Sequence, residues 1–147
     1  MASNTRFRGR SETRISRIDT KKLVKDLFYK DECYHLVGLC MEVHKELGKG
    51  HSEVVCKDAL VVELNRAVIP FTREQQFEIR YKEIILPHHY FADFVIDGKI
   101  LFEAKAVECL GDAHVKQGLN YLAASKLRLA LLVNFGADSL EWKRIVL

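Results

Sequence analysis

From about Glu32 to Leu47 the apolar residues Leu36, Val37, Cys40, Val43 and Leu47 recur at steps of three and four, the stripe of an amphipathic helix. "GKG" at 48–50 predicts its end, because glycine accepts the left-handed conformation at a helix C-terminus. Ser52 is placed to cap a second helix reaching about Arg66, with Val55, Ala59, Leu60 and Leu64 turned inward; Pro70 marks the exit. The period then changes. Phe77, Ile79 and Tyr81 alternate with polar residues as in a half-buried strand, and "EIIL" follows as a short strand that Pro87 ends. Residues 90–96 and 99–106 predict a hairpin. Asp112 is placed to cap a helix over about 113–124, with Val115, Leu119 and Leu122 on its apolar side. "RLALLVN" at 128–134 is apolar without alternation, as in a strand covered on both faces, and "LEWKRIVL" supplies a last strand. The order helix, helix, three or four strands, helix, two strands predicts an α/β (mixed α+β) domain, a mixed sheet flanked by helices.

Charge divides the chain in two. Residues 1–25 carry eight Lys/Arg against Glu12 and Asp19, a net +6, which leaves 15 basic and 18 acidic residues, a net −3, for residues 26–147. The overall +3 is therefore a basic arm on a mildly acidic domain. The arm lacks periodicity and is expected to be disordered; it suits a polyanion, and equally a solubilising tail. No apolar run approaches the roughly 18 residues of a membrane span, and the N-terminus lacks a signal-peptide core, so a cytoplasmic protein is expected. Cys33, Cys40, Cys56 and Cys109 form no CxxC pair or zinc-like spacing and read as small buried thiols in a reducing compartment.

The hairpin "YFADFVIDGKILFEAKA" holds Asp93, Glu103 and Lys105 among residues that otherwise fill a core. A buried carboxylate costs several kcal/mol unless it is paired, so these groups either satisfy one another or hold something that is not protein. Residues two apart in a strand share a face, which points Glu103 and Lys105 together and Phe102, Ala104 and Ala106 the other way. The register decides where Asp93 goes. A two-residue turn at Asp97-Gly98 sets Asp93 opposite Phe102, whereas a three-residue loop or a bulge sets it opposite Glu103.

In the second register Asp93 and Glu103 could share a hard divalent cation, Mg²⁺ first and Mn²⁺ as substitute, with the backbone carbonyl of Ala104 as a further ligand. Lys105 would stand beside the attacking water and the phosphate. Glu53, in the first turn of the second helix, is a candidate third carboxylate, although an acid there also suits the helix dipole. His114, Gln117 and Tyr121 fall along one face of the third helix, opposite its apolar stripe, either as ligands for phosphate and water or as a solvated polar face.

"MEVHKELGKGHSEVVCKDALVVEL", "ADFVIDGKILFEAKA", "HVKQGLNYLAASKLRLALLVNFG" and "KRIVL", in this order, resemble the PD-(D/E)XK nuclease superfamily, and within it the GxxExxY proteins. The resemblance runs from about Tyr34 to Leu147. It implies a restriction-endonuclease-like αβββαβ core and a Mg²⁺-dependent phosphodiesterase site. Asp93, Glu103 and Lys105 match the core motif, Gly50 and Glu53 the helical motif, and Gln117 and Tyr121 a QxxxY pattern. Ala92 stands where the superfamily's name has proline, and Cys56 where the branch has tyrosine. The expected activity is hydrolysis of DNA, or less favoured RNA, with little sequence specificity, and a homodimer is compatible with it. Lys116, His114 and Tyr121, with Arg6, Arg8 and Arg10 of the arm, are the expected nucleic-acid contacts. Two other readings remain: a nucleic-acid-binding module without turnover, and a structural subunit whose charges form only a salt-bridge network.

Overall fold

The computed structural model describes residues 19–147. Helices α1 (Thr20–Leu27), α2 (Lys30–Leu47) and α3 (Glu53–Arg66) precede strands β1 (Phe71–Tyr81), β2 (Ile84–Ile96) and β3 (Ile100–Lys105); α4 (Asp112–Ser125), β4 (Leu129–Asn134) and β5 (Glu141–Val146) follow. The sheet order is β1-β2-β3-β4-β5, with β3 and β4 parallel and every other pair antiparallel. The αβββαβ core is thus present, as a mixed sheet flanked by helices. α4 makes the crossover that a parallel pair requires.

Two apolar layers sandwich the sheet. On one side Leu36, Val37 and Cys40 of α2 and Leu60 and Leu64 of α3 cover Phe94, Phe102, Leu131 and Val133; on the other, Leu122 of α4 covers Leu101, Ala130, Leu132 and Ile145. β4 is buried at all six positions, as its unbroken apolar run predicts. Gly118 lets α4 lie close to β5, since a Cβ there would stand 2.6 Å from Ile145 Cδ1.

Several local expectations are corrected. Residues 20–25, taken as part of the arm, are helical, because the Asp19 carboxylate caps α1 by accepting from Lys21 N and Lys22 N. Arg6, Arg8 and Arg10 lie outside the described residues. Ser52 holds the N-cap position of α3 without a side-chain bond to the helix. The inward residues of α3 are Cys56, Lys57, Leu60 and Leu64, whereas Val55 is exposed. Gly111, not Asp112, precedes α4, and the His114 ring bonds back to it; Cys109, in the loop before it, is exposed, unlike the buried Cys33, Cys40 and Cys56.

Pro87 does not end a strand either. β2 runs through it because the ladder is irregular there: Glu78 pairs with His89 but Arg80 with Ile85, so Ile79 faces Leu86, Pro87 and His88. A bulge leaves backbone groups unpaired, which is where a strand tolerates a residue without an N–H.

Candidate active site

The β2–β3 hairpin closes through a three-residue loop, Asp97-Gly98-Lys99, in which Asp97 and Gly98 take φ of 53° and 64°. Ile96 pairs with Ile100 and Phe94 with Phe102, so the register brings Asp93 opposite Glu103. A second irregularity lies beside it. Phe94 packs on the α2/α3 side of the sheet and Ala92 on the α4 side, although residues two apart in a regular strand share a face. The neighbouring strand breaks at the same level: Glu74 takes a φ of 54°, and the β1–β2 ladder passes from Arg73–Phe94 to Gln75–Ala92 without a Glu74–Asp93 pair. This switch of faces frees the backbone around Asp93.

The freed groups are used within the site. Asp93 N donates to Glu103 Oε1 at 3.2 Å, and Ala104 N donates to Asp93 Oδ2 at 2.8 Å. Lys57 Nζ, arriving from α3, binds Asp93 Oδ1 at 3.1 Å and Glu74 Oε1 at 2.7 Å. Lys105 Nζ donates to Gln117 Oε1 at 2.8 Å, and Gln117 Nε2 to Tyr121 Oη at 3.4 Å. The Tyr121 ring lies 4.7 Å from that of Tyr90 on β2.

The end of β3, which carries Lys105, is clamped. Phe135 N bonds Lys105 O at 2.8 Å. The fully buried Asn134 side chain accepts from Val107 N and Gly136 N and donates to Val107 O and Glu141 Oε1. Gly136 must be glycine there, because a Cβ would come within 2.6 Å of the Ala106–Val107 backbone.

Glu103 is only 6% exposed. Burial first, and the charge of Asp93 second, push its carboxyl up to about 9, against the Asp93 N–H and Lys105, which favour the ionised form. Burial, then the charges of Glu103 and Asp93, also raise the Tyr121 hydroxyl. For Lys57 burial acts downward, but Glu74 and Asp93 outweigh it and hold the ammonium above its ordinary value.

The structure therefore brings together Asp93, Glu103, Lys105, Gln117 and Tyr121. It does not bring in Glu53, which has no polar contact to them; it lies one helical turn before Lys57, whose ammonium reaches Asp93 instead. His114 accepts from Gly111 N through Nδ1, and Lys116 is exposed beside Gln117. Tyr121 does not stand opposite the apolar side of the helix, as its pattern predicts, but packs with Val115 and Leu119 against the α4-side core. Lys57, Glu74 and Tyr90 were not foreseen. Lys57 had a signal, a lysine three and seven residues before Leu60 and Leu64 on a buried stripe; Glu74 had none, because its role depends on a left-handed residue inside a strand.

Among the described residues no three His, Cys, Asp or Glu side chains converge as a metal cluster. The donors present are all oxygens. Strand carbonyls alternate, so with Lys105 O turned to β4 the Ala104 carbonyl turns toward β2 and Asp93. Two carboxylates and a carbonyl fit a hard cation that keeps most of its waters, as Mg²⁺ does. No curated protein and no solved structure matches the chain significantly. A sequence model of one family does match, over residues 30–145, a span that begins with α2 and reaches into β5. With the αβββαβ core and the Asp93, Glu103 and Lys105 arrangement inside that span, the chain belongs to the PD-(D/E)XK nuclease superfamily.

Proposed function

We propose that the protein is a cytoplasmic, metal-dependent nuclease that hydrolyses phosphodiester bonds in DNA, with RNA second, with little sequence specificity. The observation that carries this reading is the three-residue loop that sets Asp93 against Glu103 with Lys105 two residues further on. Asp93, Glu103 and the Ala104 carbonyl would hold one Mg²⁺ or Mn²⁺. When bound, the cation would supply an ionisable water and offset charge on the phosphate. Lys105, held by Gln117, would face the scissile phosphate, where its fixed ammonium stabilises the charge that grows on the non-bridging oxygens. Asp93 would be steadied by the Ala104 N–H and Lys57. Glu53 would act through outer waters. His114, Lys116 and the arm residues Arg6, Arg8 and Arg10 would add phosphate contacts whose strength falls steeply with salt. "GHSEVVC", with Gly50 and Glu53 in place and Cys56 for the tyrosine, supports placing the chain in the GxxExxY branch, and a symmetric homodimer is compatible with cutting two strands.

One observation favours a second reading, a nucleic-acid-binding module without turnover. Lys57 already satisfies one oxygen of Asp93, and a cation must compete with it. Cleavage of labelled single- and double-stranded DNA with Mg²⁺, Mn²⁺ or EDTA separates the two, with Glu103→Ala and Lys105→Ala beside the wild type. Metal-dependent cleavage lost in both variants is the expected result. DNA binding that survives EDTA and Glu103→Ala, with no cleavage by wild type, would leave the binding module.

A further inference from the structure

The outer half of the β1–β2 hairpin projects past the face switch at Asp93 and runs alongside α4. Between them lie two clefts that share Tyr90 and Asn120. One, of about 590 Å³, includes His88, His89, Lys116, Gln117 and Tyr121; the other, of about 610 Å³, includes Arg80, Ala124 and Lys126. The two meet at Tyr90 and Asn120 and are taken together as one groove, and Gln117, the residue that holds Lys105, lines the first of them. From Gln117 to Lys126 the path along α4 is roughly 14 Å at the helical rise. That length holds at most about four nucleotides, the number at the step of a stacked strand, and fewer once bases are splayed onto the rings.

The lining has two properties. Its side chains of fixed charge are Arg80, Lys116 and Lys126 against one carboxylate, Glu78, which lies 3.9 Å from Arg80. It is also rich in flat rings: Tyr90 and Tyr121 lie against each other, and His88 stands edge-on to Tyr90 with centroids 6.3 Å apart. Cations attract any nucleic acid, but ring faces reward only unstacked bases, because a duplex covers its bases with their neighbours.

We propose that this groove seats a single-stranded segment of nucleic acid, base faces against Tyr90 and Tyr121 and phosphates toward Arg80, Lys116 and Lys126, leading one phosphate to Lys105. The last clause rests on the nuclease reading; the binding does not. The expected experiment is fluorescence anisotropy in EDTA with labelled (dT)12, (rU)12 and a 12-base-pair duplex. Wild type would run beside the exposed double variant Lys116→Glu/Lys126→Glu and beside Tyr90→Leu. A thermal-shift measurement with Mg²⁺ on each protein reports separately on the carboxylate site.

The single strands should bind about tenfold or more tighter than the duplex, and each variant should lose roughly tenfold or more for them. Comparison of (dT)12 with (rU)12 tells the deoxy from the ribo strand, and groove-dependent binding of either supports the proposal. Equal or tighter binding of the duplex would overturn it, as would variants that fold and bind like wild type, or no binding at all. Groove-dependent binding without any Mg²⁺ shift or cleavage would keep the groove and remove the catalytic reading.

Discussion

Lys57 carries its ammonium into a row of carboxylates contributed by adjacent strands, Glu74 on β1, Asp93 on β2 and Glu103 on β3. Its side chain is 9% exposed and that of Asp93 13%, so each depends on the other; Glu74, half exposed, can turn to water. Lys57→Met should therefore cost about 2–3 kcal/mol of stability without metal, below the 3–5 typical of a broken, fully buried pair. The same variant should gain more from Mg²⁺ than wild type does, because the cation then meets no competitor at Asp93. Urea unfolding with and without Mg²⁺ measures both, and an unchanged midpoint in the metal-free protein would sink the idea. Glu103 gives the opposite sign. Its folded carboxyl titrates near 9 and its unfolded one near the ordinary carboxylate value, so across that window the native state binds more protons than the unfolded state. Its stabilising contribution is full below the ordinary value and is lost as pH rises toward 9. Glu103→Gln should flatten that decline, making the metal-free protein more stable than wild type at pH 8, while abolishing its Mg²⁺-dependent gain.

At the scale of elements the clamp between β3 and β4 is the most exposed to test. Asn134→Ala leaves Val107 N–H, Val107 C=O and Gly136 N–H without their partner and should cost about 1–3 kcal/mol. Amide exchange at Val107 should accelerate, whereas a merely local role for Asn134 predicts no change there. These elements also show what the sequence could reveal. α2, α3, β4 and β5 were legible because each has a single face, or none, to declare. The three-residue loop was legible as a choice of two registers, since a one-residue difference reverses every side chain. β2 was misread at Pro87 because proline forbids a ladder bond, yet a bulge needs none at that place. α1 was missed because the arm's charges hid an ordinary aspartate cap. The tight approach of Gly136 to the Ala106–Val107 backbone was not visible locally, since its partner lies about thirty residues away.

On the scale of the whole molecule, chemistry and packing meet at one line across the sheet. On one side of that line α2 and α3 cover the inner strands; beyond it the β1–β2 hairpin belongs to the α4 side. The core motif of the site could be read from sequence because its residues lie within one hairpin. Lys57 and Glu74 could not, because they reach it from other elements. No helix among the described residues is long and apolar enough to cross a membrane. The break at Glu74 and Asp93 has a consequence for how such a protein can diversify. Past Phe77 and Tyr90 the hairpin shares little with the main core, so its tip can lengthen, shorten or change composition without repacking the half that carries Asp93 and Glu103. Selection, or an engineer, can then exchange the outer hairpin while inheriting the Asp93, Glu103 and Lys105 arrangement intact.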